Sequence, residues 1–212
     1  RELVDGANLV GEVEMTRMLP LKFVPALLTV EALRNQASMR GHALSKTVEA
    51  LEMPDRPGGL EQTLEERDKG WLIGPLTTEE VPNNAPISRR FGFKQRHKVR
   101  LIDDYSESSV NQAVTVFESP SPTLHTVDVA SAMLTFWMGQ CLETGCKPEL
   151  LVRTFVLSSA YRQMGLSPGG RKYGYIRVYC LSENKWSFFQ TQVLPFGAVR
   201  SVHSFLRLAR AI

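Results

Sequence analysis

The chain has too few cysteines, in the wrong spacing, for a disulfide framework or a zinc site. Cys141, Cys146 and Cys180 form no CxxC pair. An odd number without a framework fits a reducing intracellular compartment, with the thiols serving as small core residues. Long hydrophobic runs are also missing. The longest, Val129 to Leu142, contains Ser, Thr and Gln and is too short to span a bilayer. The stretch "LPLKFVPALLTV" is broken by Lys22 and two prolines, so no membrane span is expected. His42, His97, His125 and His203 stand in no motif with Ser or Cys. There is no nucleophile elbow, no phosphate-binding glycine loop and no HExxH spacing. These absences argue against hydrolase, P-loop and metalloprotease chemistry. No internal repeat or low-complexity tract occurs. The first residue is Arg rather than Met, which reads as a fragment or a processed product.

What is present is the balance of a folded chain. Of 212 residues, 43% are hydrophobic and 22% charged, enough for one real core, with or without an appendage. The net charge of +3 hides an asymmetry. Residues 151–212 carry nine Lys/Arg against one acid, Glu183, whereas residues 1–150 are net acidic. A basic half suits nucleic acid. It equally suits an acidic protein partner, or the chain's own acidic half.

Residues 27–51 read as helical, with Gly41 as a break. "MPDRPGG" is a punctuated loop, "LEQTLEERDKG" a helix capped by Gly70, and 71–86 loop-rich with a short helix at 78–81. In "FGFKQRHKVRLIDDYS" two short strands flank Gln95-Arg96-His97 as a hairpin. Val127, Ala130, Met133, Leu134, Trp137, Met138 and Cys141 recur at helical spacing, closed by Gly145. Residues 150–157 read as a buried strand, 171–181 and 185–194 as an antiparallel pair, and 200–212 as a basic amphipathic helix. The order predicts an α+β fold with an antiparallel sheet packed on helices. The 127–144 helix is expected on one face of that sheet.

Two blocks, "RTFVLSSAYRQMGLSPGGRKYGY" (153–175) and "LPFGAVRSVHSFLRLAR" (194–210), together resemble the palm of a retroelement-type reverse transcriptase. "FGFKQRHKVRLIDDYSESSVN" (91–111) is similar to its fingers segment, where a basic hairpin precedes an Asp-Tyr and a later Asn. The resemblance covers about residues 69–212. It implies a polymerase-like fingers/palm fragment in three parts. Residues 1–65 form a helical N-terminal region of unknown type. Residues 66–149 form a fingers-like segment with the basic hairpin. Residues 150–212 form a partial palm that ends before the family's Asp-Asp turn.

The same resemblance assigns roles. Lys98 and Arg100 would hold an incoming triphosphate, Arg as a fork and Lys as a point charge. Tyr161 would floor the nucleotide sugar, and Phe196 and Gly197 would face base and template. Arg200, Arg207 and Arg210 would contact a nucleic-acid backbone. Read without the resemblance, these are a solvated strand face, a core tyrosine, a plain turn and a solvated helix stripe. An intact family member uses Mg²⁺ held by carboxylates. The first carboxylate position is Val156, which offers no lone pair, and no Asp-Asp turn follows. No cofactor is therefore expected, and the expected function is a catalytically inactive reverse-transcriptase-like domain with weak RNA or DNA binding. The alternative is a domesticated polymerase-like domain retained as a structural or interaction subunit. Asp103-Asp104 is a poor Mg²⁺ site without a third ligand, and Asp104 before Ser106 also reads as a turn cap.

Overall fold

The computed structural model describes residues 2–17, 19–44, 59–95, 98–119, 127–147, 157–180, 183 and 185–211. In chain order the elements are α1 (Glu2–Asp5), β1 (Gly11–Glu12), β2 (Leu21–Val24), α2 (Val30–Leu44), α3 (Gly59–Asp68), β3 (Leu72–Leu76), β4 (Ile87–Gln95) and β5 (Lys98–Asp104). They continue with β6 (Val114–Glu118), α4 (Val127–Glu143), α5 (Pro168–Arg171), β7 (Tyr175–Cys180), β8 (Lys185–Thr191) and α6 (Val199–Ala211). The class is α+β, as expected. One sheet has five strands in the order β3-β8-β7-β4-β5, and a second has three in the order β1-β6-β2.

The expected antiparallel pair is β7 with β8, in register from Tyr175–Gln190 to Cys180–Lys185. The hairpin is β4 with β5, from Arg89–Asp104 to Gln95–Lys98. A parallel join between β4 and β7 links the two hairpins into one sheet. No local pattern announces that join, because it pairs residues far apart in sequence. The expected strand at 150–157 lies outside the described residues except for Leu157, which is exposed and in no strand.

Three strands run through segments that the sequence reads as loop or as helical. β3 contains Gly74 and Pro75, which argued for a turn. It is an edge strand, where a missing N–H is tolerated. Gly74 passes so close to β8 that a Cβ there would lie 2.7 Å from the Phe189 ring. The N-terminal region is not purely helical either, since β1 and β2 flank β6 before α2 begins. Thr29 caps α2, its hydroxyl accepting from Ala32 N at 3.0 Å. Gly70 closes α3 in the left-handed region, as expected (φ 75°).

One face of the larger sheet packs Leu72, Ile176, Val178 and Phe189 against Leu60 and Leu64 of α3. The principal core joins Ala7 and Leu9 from the N-terminus to Leu33, Tyr105, Leu166 and Leu194. Residues 1–120 and 159–212 thus make one compact unit, and 121–158 a second. That grouping runs across the three-part division read from the sequence. In the second unit α4 forms where the spacing predicts, with Gly145 beyond its end at φ 69°. Met133, Phe136 and Leu142 are exposed there, and Cys141 is buried.

At the end of β6 the buried Glu118 carboxylate accepts from Thr16 N at 2.8 Å, Thr16 Oγ1 at 2.7 Å and Arg17 N. Burial by itself pushes this carboxyl up. The three hydrogen bonds and the charge of His203 outweigh burial and hold it below its ordinary value. His203 is buried in α6, and burial, with the charge of Arg200, keeps its imidazole below the usual 6.5 against the pull of Glu118. Both groups bind protons more readily in the unfolded chain, so both withdraw stability as pH falls. The protein is expected to lose stability first below about pH 6.5 and further through the carboxylate range. Urea midpoints measured between pH 8 and about pH 4 check this. Glu118→Gln should flatten the lower part of the decline. An unchanged profile would show that the Glu118 tie carries none of it.

Candidate functional site

Beyond β8 the chain turns through Pro195-Phe196-Gly197 into α6. Gly197 sits at φ 97°, and a Cβ there would lie 2.0 Å from the Asp103 carbonyl oxygen at the end of β5. The turn and the Asp103-Asp104-Tyr105 segment are therefore in backbone contact. Asn111 fastens them a second time. Its Nδ2 donates to Gly197 O at 2.9 Å, and its Oδ1 accepts from Val199 N at 2.9 Å. The second bond satisfies an N–H in the first turn of α6 that the helix itself cannot. The sequence marks Asn111 only as part of the fingers-like pattern, and its part in holding the turn comes from the tertiary fold.

Tyr161 enters from the 3-10 turn Ala160–Gln163. Its ring meets Phe196 edge-on at 5.0 Å and Phe205 of α6 at 5.2 Å. Such pairs are worth about 0.5–1.5 kcal/mol beyond their area. Tyr161 is half-buried and Phe196 exposed, so the aromatic group has an open side. Three sequence blocks thus converge: the Ala-Tyr turn, the Pro-Phe-Gly turn and the segment that follows the hairpin.

Beneath them lies a buried ion network. Arg90 of β4 makes a two-pronged contact with Asp103, Nε to Oδ1 at 2.6 Å and Nη2 to Oδ2 at 3.0 Å. Arg90 Nη1 also donates to Glu66 of α3 at 2.7 Å. Arg162, next to Tyr161, donates from Nη2 to both Glu66 oxygens at 3.2 and 3.0 Å. Burial opposes the charge on Arg90. The charges and hydrogen bonds of Asp103 and Glu66 more than restore it and raise its pKa. Arg162 Nε and Nη1 find no hydrogen-bond acceptor among the described residues. The sequence does not reveal this network, because a periodicity analysis places Arg and Glu on the surface.

The Asp103-Asp104 pair is therefore occupied. Asp103 is taken by Arg90, and Asp104 Oδ1 accepts from Ser106 N at 3.1 Å and Glu107 N at 2.9 Å. That is the turn cap, not a metal hairpin. Among the described residues no group of three His, Cys, Asp or Glu side chains is placed to hold a metal ion. The Asp103 and Asp104 carboxylates, each held by protein donors, do not fit the Mg²⁺ that the resemblance implies for an intact relative. Val156 lies outside the described residues.

Arg200 and Arg207 are engaged with the N-terminal segment rather than with this site. Lys98 opens β5 opposite Gln95, and Arg100 is exposed opposite Phe93. Side chains alternate along a strand, so Arg100 points away from the face that buries Asp103. Arg200 is buried, and its Nη1 donates to the Glu12 carbonyl. It is not part of an open helix stripe. Arg207 pairs with Glu14 at 3.3 Å, and Arg210 lies in the last turn of α6. The basic helix thus spends part of its charge on the acidic N-terminal segment, one of the two accounts the charge asymmetry allowed. Neither protein-family models nor curated proteins match the sequence.

Proposed function

We propose that the chain is a reverse-transcriptase-like fingers-and-partial-palm domain that does not catalyse nucleotidyl transfer. The convergence of Tyr161, Phe196 and Gly197 on the Asp103–Asn111 segment supports this reading, because these belong to the three blocks on which the resemblance rests. Inactivity follows from ligand chemistry. The Val156 side chain has no oxygen to offer, and the Asp103 and Asp104 carboxylates already hold protein donors. Phosphate contacts of the exposed kind carry no base information, so any binding is weak and not sequence-selective.

The test combines primer extension with fluorescence anisotropy on a labelled RNA–DNA hybrid. No nucleotide incorporation is expected with Mg²⁺ or Mn²⁺. Binding is expected at about 10⁻⁴ to 10⁻⁶ M, weakening steeply with salt. Incorporation by the chain carrying Val156 would overturn the inactive reading. Absence of binding at low salt would put the second reading first, a polymerase-like domain kept as an interaction subunit. Arg200 donating to the Glu12 carbonyl and Arg207 pairing with Glu14 leave less charge for phosphate, which favours that second reading.

A further inference from the structure

Residues 11–17 touch both β6 and α6. β1 pairs with β6 in parallel, Gly11 with Val114 and Glu12 with Thr115. Val13 N donates to Thr115 O at 2.9 Å, and its side chain is buried with Val114 and Val116 against Val199 of α6. Leu19 is buried as well. Between these two anchors Glu14, Met15 and Arg17 are exposed. The segment meets α6 through oxygen atoms. Arg200 Nη1 donates to the Glu12 carbonyl, and Arg207 Nη2 donates to Glu14 Oε2 at 3.3 Å. The two arginines are about two helical turns apart and so lie on one stripe. The far end of the segment is held by charge. Thr16 N, Thr16 Oγ1 and Arg17 N all donate to the Glu118 carboxylate. These bonds keep Arg17 at φ 60°, a left-handed backbone that is unfavourable for a residue with a Cβ. Loss of them lets Arg17 relax, so the conformation of residues 14–17 depends on the Glu118 tie.

We propose that residues 14–17 are a displaceable acidic cover on a phosphate-contacting stripe of α6, with Glu118 as its latch. Glu14 occupies the place of a phosphate, a carboxylate on an arginine. Its side chain is 58% exposed, and ion pairs so open to water are weak. A phosphodiester offers Arg207 the same charge in a geometry that suits both prongs of a guanidinium. The backbone of an incoming strand therefore takes Arg207 from Glu14, whereas Arg200 keeps its backbone carbonyl. Residues 14–17 leave with Glu14, because the same short turn carries both the ion pair and the latch. The inference rests on the phosphate-binding reading proposed above and adds to it a competitor within the chain.

Fluorescence anisotropy of the 212-residue chain with a labelled oligothymidylate, and inorganic polyphosphate as competitor, tests this. Glu14→Gln should tighten binding about threefold more than Asp68→Asn, which makes the same change of net charge at an exposed residue of α3. Its affinity should also fall more steeply with salt, by about 0.7 in the logarithmic slope, the share of one added phosphate contact. Arg207→Ala placed on Glu14→Gln should remove the gain, and polyphosphate should displace the strand. Hydrogen exchange reads the cover directly, since the Thr16 and Arg17 amides should exchange faster once either anion is bound. A gain no larger than that of Asp68→Asn, or one that survives Arg207→Ala, would overturn the cover and leave phosphate binding in place. So would Thr16 and Arg17 amides that slow or keep their rate on binding. A strand that polyphosphate fails to displace, or no binding by any of these proteins, would refute the phosphate reading itself and the cover with it.

Discussion

Asp103→Ala is expected to destabilise the protein by about 3–5 kcal/mol, because it leaves a guanidinium charged and dry. The Arg90 side chain is fully buried and Asp103 nearly so, with N–O distances of 2.6 and 3.0 Å between them. Solvent therefore screens little of the loss. Among the described residues Glu66 is the only other carboxylate bonded to Arg90, and it also serves Arg162. For a chain of this size the change corresponds to a fall in Tm on the order of 10 °C. The double variant Arg90→Met, Asp103→Leu removes both charges and keeps the volume, so it should cost far less than the single one. Urea denaturation of the three proteins decides it. A single-variant loss under about 1 kcal/mol would mean that water reaches the network.

Gly197→Ala should be the other severe substitution. Two effects add at this residue, a backbone at φ 97° and a Cβ placed 2.0 Å from the Asp103 carbonyl oxygen. The obstacle is backbone, so no side-chain rotation relieves it. A loss of about 3 kcal/mol or more is expected, with the turn displaced and the Asn111 bonds to Gly197 and Val199 broken. Gly70→Ala is the matched control. Its φ is 75°, but nothing lies within 4 Å of its would-be Cβ. Conformation alone should cost it about 1 kcal/mol. Denaturation midpoints give the two losses, and near-ultraviolet circular dichroism reports whether the Tyr161–Phe196 pair moves with Gly197. Equal losses at the two glycines would mean that the contact with Asp103 contributes nothing.

These two residues show how the sheet edge and the turn are joined. Asp103 offers its side chain to Arg90 and its backbone to Gly197. The same residue thus stabilises the hairpin from below and positions the aromatic turn from above. A change at either partner is felt at the group formed by Tyr161, Phe196 and Phe205.

What the sequence determined by itself was local. Alternation in 171–181 and 185–194 was enough to locate β7 and β8, although β7 begins only at Tyr175 and is buried at all but one of its six residues. Helical spacing located α4 and α6, and Gly70 and Gly145 marked helix ends because few other residues accept a positive φ. The turn residues around Pro195-Phe196-Gly197 were legible for the same reason. The rest required contacts between distant residues. β3 was hidden because Gly74 and Pro75 speak for a loop, and only the neighbouring Phe189 and an edge position make them a strand. The parallel joining of β4 to β7 follows from the pairing of Ile87 with Tyr175, which no window of sequence contains. Arg90, Asp103, Glu66 and Arg162 read as surface charges one at a time. Burial is affordable only when all four meet, so their placement was decided by the tertiary structure. The same holds for Arg200. Its position in a basic helix suggested solvent or phosphate, and the carbonyl of Glu12, brought near by the fold, took it instead.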